Sequence, residues 1–239
     1  MINKNTIGPS IHKVEPFYIS DYFNKNKVSI LYIGKDEREI SNIKIKLNWL
    51  LPETDILLFK SWDQIPYDNV SPTKEVQIER LKTLKKLSDS KSNKIILKTI
   101  NSIIQKTIPN NIINENSFKL FKKQKINFNH LINFLQQLGF QRTSLVREKS
   151  EFSVRGSILD IFPTDRDLPV RLDLFDNEIE NIYDFNPINQ RRLNEIKEEL
   201  NFNLSSELLI TDNSLSLFRS NFRKIFSNYR NSQIYNLFS

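Results

Sequence analysis

The stretch Glu151-Phe152-Ser153-Val154-Arg155-Gly156-Ser157-Ile158-Leu159-Asp160-Ile161-Phe162-Pro163 runs on through Val170-Arg171-Leu172-Asp173-Leu174 to Asn186-Pro187-Ile188-Asn189-Gln190-Arg191-Arg192. It decides how this chain is read. Successive side chains of a strand point to opposite faces. Phe152 and Val154 therefore fall on one side, and Glu151, Ser153 and Arg155 on the other. In 170–174 the apolar face is Val170, Leu172 and Leu174, which leaves Arg171 and Asp173 outside. Arg142, in a short strand after Gly139, is expected on the same outer face. Guanidinium groups on a half-exposed sheet suit bidentate, charge-assisted pairing with a protein partner. A solvated face of weak internal ion pairs, about 0–1 kcal/mol each, accounts for the same pattern.

Around this stretch, the region from Phe140 to Phe185 keeps a period of two, with breaks at 148–150, Gly156, 164–168 and Asp176-Asn177. That predicts an antiparallel sheet. A strand over Phe118–Lys122 precedes it. A helix opened by Asn127 or Asn129 carries Leu131, Phe134, Leu135 and Leu138 and is stopped by Gly139.

Upstream the pattern changes. Val28–Ile33, Asp55–Phe59 and Lys94–Thr99 read as buried strands. Asp36–Leu51 reads as a helix with Ile40, Ile43, Leu47 and Leu50 on one stripe. A second helix starts at Ser71-Pro72, with Ile78, Leu81, Leu84 and Leu87 inward and Lys82, Lys85 and Lys86 outward. Strands alternating with helices predict a parallel sheet with helical crossovers. Downstream, Glu207–Thr211 reads as one more buried strand and Leu215–Ile225 as an amphipathic helix. The expected fold class is α/β: a parallel-sheet domain over 1–113, an inserted small α+β domain over 114–198, and a segment over 199–239 returning to the first domain.

The 239 residues are enough for a substantial core. The net charge of +7 resides mainly between Lys74 and Lys98, and residues 118–200 are neutral. Absence of Ala and heavy use of Ile, Lys, Asn and Phe follow an A- and T-rich codon bias, which weakens the charge as a nucleic-acid signature. Without Cys there are no disulfides, thiolate nucleophiles or thiolate metal sites. Met1–Lys13 lacks the apolar core of a signal peptide and no run reaches transmembrane length, so a cytoplasmic protein without membrane contact is expected.

Gly34-Lys35 follows a strand, as in a phosphate loop. Asp36 stands where Ser or Thr should hold magnesium, and Ser29 replaces the leading Gly. No nucleotide, other cofactor, metal or catalytic residue is expected. His12 and His130 lie in different domains without nearby ligands. Asp173, Asp176, Glu178 and Glu180 read as a hairpin tip and strand face, lacking the Gly of a calcium loop. Lys82, Lys85 and Lys86 could follow a phosphate backbone of duplex DNA, although no aromatics are interleaved with them. Trp62–Asp68 reads as an aromatic loop following a strand.

The phrases Leu138–Arg142, Glu151–Pro163, Arg171–Glu180 and Phe185–Arg191 closely resemble the module shared by the UvrB nucleotide-excision-repair protein and the transcription-repair coupling factor, Mfd. Trp62–Asp68, Ser71-Pro72 and Glu79–Leu84 resemble the coupling factor specifically, as does the failed phosphate loop. The resemblance implies a degenerate RecA-like first domain and an inserted domain that binds UvrA. It places Arg142, Arg155, Arg171 and Asp173 at the UvrA-contacting positions, with Leu159 as an added apolar anchor. Ser153 stands where UvrB has another Arg. It also implies that this is an N-terminal portion, with RNA polymerase contacts and the translocase motor beyond Ser239.

Overall fold

A computed structural model describes residues 13–64, 71–88, 92–196, 199–209 and 211–225. His12 and residues 65–68 of the aromatic loop lie outside these. The chain divides into two compact units, residues 1–110 and 111–239.

The first unit opens with α1 (Glu15–Asn26), which sequence periodicity did not single out. Exposed Phe17, Tyr18 and Tyr22 blur its apolar stripe, and Phe23 is the aromatic it buries. Then come β1 (Ile30–Gly34), α2 (Glu37–Leu50), β2 (Ile56–Leu58), α3 (Lys74–Ser88) and β3 (Ile95–Thr99), followed by the short α4 (Ile100–Ile104). The strands are parallel in the order β1-β3-β2, as the strand–helix alternation predicts. Asp36 caps α2, its carboxylate accepting from Glu39 N at 2.8 Å. Ile40, Ile43 and Leu47 of α2 pack with Phe23, Ile56, Ile95 and Leu97 to form the core.

The inner stripe of α3 differs from expectation. Ile78 and Leu81 are buried, Leu84 and Leu87 only half-buried, while Arg80 and Thr83 are fully inside. The Arg80 guanidinium lies over the rings of Phe59 (4.4 Å) and Trp62 (3.9 Å) and donates to the Lys60 carbonyl at 2.8 Å. A planar cation sandwiched by aromatic faces can be buried where a hydrophobicity pattern expects it outside. The helix also starts later than Ser71-Pro72. Thr73 instead ties the preceding segment down, its hydroxyl donating to Asp63 at 2.6 Å.

The second unit begins with α5 (Asn110–Glu115), β4 (Phe118–Leu120) and α6 (Phe128–Gln137). Asn127 caps α6, accepting from His130 N at 3.0 Å. Gly139 ends it with φ +90°, and a Cβ there would collide with Ser206. Next come β5 (Gln141–Arg142), β6 (Glu151–Arg155), β7 (Ile158–Ile161), β8 (Val170–Phe175), β9 (Glu178–Phe185) and β10 (Arg192–Glu195). They form one sheet in the order β10-β9-β8-β7-β6-β5, antiparallel except for the β5–β6 pair. Each expected break is a turn. Gly156 takes φ +60°, and Asp176 and Asn177 take +48° and +60°, the conformation of a two-residue hairpin turn.

β11 (Leu200–Phe202) pairs antiparallel with β4, and Phe118 stacks on Phe202 with ring centroids 4.8 Å apart. The strand expected over Glu207–Thr211 is not formed in its described residues: 207–209 bend and Leu208 is exposed. The described residues of that run have no ladder partner, and the Leu209 carbonyl instead accepts from the Ser214 hydroxyl. α7 (Asp212–Ile225) has the expected amphipathic helix, burying Phe222 and exposing Leu217, Phe218 and Ile225.

Candidate functional site

In open parallel sheets, ligands gather beyond the carboxyl ends of the strands. In the first unit that position holds carboxylates. Glu39 accepts from Tyr32 OH at 2.7 Å and from Lys35 N at 2.8 Å, and Glu37 accepts from Ser61 N at 3.1 Å. With Asp36 capping α2, amides that would hold a phosphate are engaged by side chains of the wrong charge. Burial, reinforced by Glu39, pushes the Tyr32 phenol up. Of the expected cationic face, Lys86 is exposed and Lys82 and Lys85 are half-buried. Hydrogen bonding from the buried Lys94 holds the Asp55 carboxyl below its usual range, and the Lys86 charge adds to this.

In the second unit, Asp173 pairs with Arg192 at 2.8 Å and Glu178 with Lys123 at 3.4 Å. Among the described residues, no group of three or more His, Asp or Glu is disposed to hold a metal. His130 is exposed, its ring 6.4 Å from that of Phe134.

The outer face of the six-stranded sheet is organised by a residue that the sequence reading left unassigned. Strand register aligns Ser153 with Asp160, and Asp160 with Arg171, across β6, β7 and β8. Asp160, 1% exposed, accepts from Arg171 Nε at 2.6 Å and Nη2 at 2.9 Å, and also from Arg155 Nη2. The bond to Asp160 raises the already high pKa of Arg171, whose guanidinium also lies 4.7 Å from the centre of the Phe185 ring. Arg171 Nη1 donates to the Gln190 carbonyl at 3.2 Å.

This places the expected residues unequally. Arg155 keeps 43% of its side chain exposed and Arg171 only 10%, while Asp173 is largely covered by Arg192. Leu159, expected as an exposed anchor, is 0% exposed, because its register with Val154 and Leu172 puts it on the apolar face. Arg142 is exposed but stands beside Phe152 in register, on the opposite parity from Arg155 and Arg171.

The covering loops explain why the alternation does not show in burial. Ser153 is buried, its hydroxyl donating to the Ser144 carbonyl at 3.0 Å. Val146, Phe162 and Phe185 form a small apolar cluster. The Gln190 amide ties the β9–β10 loop (186–191) to the β5–β6 loop (143–150), donating to the Val146 carbonyl at 3.0 Å. One signal for Asp160 was available in the sequence: an acid between Leu159 and Ile161, in a strand whose neighbours carry Arg at matching parity.

Residues 118–201, which include this sheet, match the UvrB interaction domain. The chain carries that domain. Around it, the similarity extends over most of the chain. Across 224 residues, 94% of this chain and 19% of the relative, it is 30% identical to the transcription-repair-coupling factor of Haemophilus influenzae. It is 30% identical to that of Escherichia coli over 72% of this chain and 15% of the relative. The Rickettsia bellii protein of the same name is 29% identical over 92% and 20%. The chain thus spans about a fifth of the length of the curated relatives it matches. The UvrB interaction domain here is the unit that holds the Asp160 cluster. No helix among the described residues is long and apolar enough to cross a membrane.

Proposed function

We propose that this chain is the UvrA-docking module of a transcription-repair coupling factor, bringing the excision machinery to stalled RNA polymerase without catalysing a reaction itself. The observation that carries it is the UvrB interaction domain over 118–201, presenting Arg155 beside a buried Asp160–Arg171 pair. Arg155 reaches solvent on the Asp160 face and is assigned to contact, Arg171 and Asp173 position that face, and Arg142, exposed on the opposite parity, lies off it. Contact with RNA polymerase would belong to the remaining length of the relatives.

The division at residue 110 lies near the expected boundary at 113, but 199–239 groups with the second unit and not, as expected, with the first. The parallel β1-β3-β2 sheet supports a RecA-like first domain over 1–113, and the engaged amides at α2 support its loss of nucleotide binding. The pairing of β4 (118–120) with β11 (200–202) brings the two ends of the matched segment together, which supports reading it as an insertion. The half-covered Lys82 and Lys85 give no support to a DNA-backbone role.

Titration with purified UvrA tests the proposal. The unaltered chain should bind, and Arg155→Ala should weaken binding about tenfold, the loss of one charge-assisted contact worth roughly 1.5 kcal/mol. If Arg155→Ala binds as the unaltered chain does, the assigned surface is wrong.

A further inference from the structure

The turn joining β9 to β10, Asn186 to Arg191, is fixed by hydrogen bonds out of proportion to its length. The Asn186 carboxamide oxygen accepts from Ile188 N at 2.8 Å and Asn189 N at 3.2 Å, and its carbonyl accepts from Gln190 N at 2.8 Å. Asn186 N donates to the Arg191 carbonyl at 3.0 Å, and Asn189 Oδ1 accepts from Arg191 N at 3.0 Å. Gln190 adopts φ +62°, a conformation that a residue with a side chain holds at a cost. Its carbonyl receives Arg171 and its amide donates to Pro187 O at 2.8 Å. What this turn displays is an isoleucine: Ile188 is 86% exposed.

A single exposed apolar side chain is ordinary. One held out by a turn so restrained, and joined through Arg171 to Asp160 and Arg155, has the properties of a pre-organised contact. It is apolar, costs little entropy to immobilise, and stands three residues before the exposed cation Arg191 in the same turn. We propose that Ile188 is the apolar anchor of the docking surface. It seats in an apolar pocket of the partner protein whose rim carries carboxylates facing Arg155 and Arg191. This inference rests on the UvrA-docking reading and gives Ile188 the role that buried Leu159 cannot fill.

The experiment measures UvrA binding by the full chain and its Ile188→Asp, Ile188→Leu and Phe175→Asp variants, with sedimentation of the chain alone. Ile188 lies at the surface, so thermal unfolding of Ile188→Asp should match that of the parent. The proposal expects Ile188→Asp to weaken binding by about tenfold or more, as for a central apolar anchor. Ile188→Leu should retain affinity within about threefold, and Phe175→Asp, altering another exposed apolar side chain, at the β8–β9 turn, should bind as the parent does. Unchanged affinity in Ile188→Asp overturns the anchor while leaving the docking reading standing. Self-association of the chain that Ile188→Asp abolishes, with UvrA binding intact, overturns it in favour of a second copy. Failure of the unaltered chain to bind UvrA overturns the docking reading, and the anchor with it.

Discussion

Replacing Asp160 by Asn keeps the shape of the side chain and removes its charge. The guanidinium of Arg171, 10% exposed, then loses its two charge-assisted bonds, and Arg155 loses its one. Breaking a buried pair by removing one partner costs about 3–5 kcal/mol, because the other charge is left without compensation. The Asn oxygen still accepts one bond, so the low end applies, about 3 kcal/mol. Arg171→Met should cost less, about 1–2 kcal/mol, because Asp160 retains Arg155 and the apolar replacement packs on Phe185. Hydrogen exchange read by mass spectrometry on peptides within 151–192, across a urea series, isolates the second unit. For a urea dependence of about 2 kcal/mol per molar, Asp160→Asn should lower the midpoint by about 1.5 M, and Arg171→Met by less than 1 M. A shift under about 0.3 M for Asp160→Asn, the size expected of a surface ion pair, would refute the reasoning. So would a larger loss for Arg171→Met than for Asp160→Asn.

Gly139→Ala should destabilise the second unit by about 1–3 kcal/mol, through positive φ and collision with Ser206, seen as a lower thermal midpoint by circular dichroism. Asp55 provides a pH test in the first unit. Its folded pKa is depressed, so its contribution is present above about pH 4 and disappears as pH falls through the folded value. Asp55→Asn should therefore unfold at lower urea than the parent at pH 7 and at nearly the same urea near pH 2. Tryptophan fluorescence reports this directly, both Trp49 and Trp62 lying in the first unit, and a pH-independent gap would contradict it.

Much of the architecture was legible because local chemistry and tertiary demand agree in this chain. The Ile40–Ile43–Leu47 stripe and the β-branched runs each specify one element without outside help. The hairpin turns are equally local, since Gly156, Asp176 and Asn177 are residue types that accept positive φ. Where reading failed, the deciding contact lies far away in sequence. Arg80 is buried because Phe59 and Trp62 sandwich it, twenty or so residues upstream. Glu207–Thr211 has the composition of a strand, but its described residues join no ladder.

The sequence by itself determined which residues share a parity within each strand and that no intact phosphate loop follows β1. Both depend on spacing alone. The register between strands does not, and it moved Arg142 off the expected face. Only the tertiary structure decided which charges on that parity reach solvent. Two loops, tied by Gln190 and packed on Val146, Phe162 and Phe185, close over the sheet. They turn Arg171 and Asp160 into a buried pair and leave Arg155 and Ile188 outside. Exposure is a property of what covers a surface, and the covering segments here come from both ends of the stretch they cover.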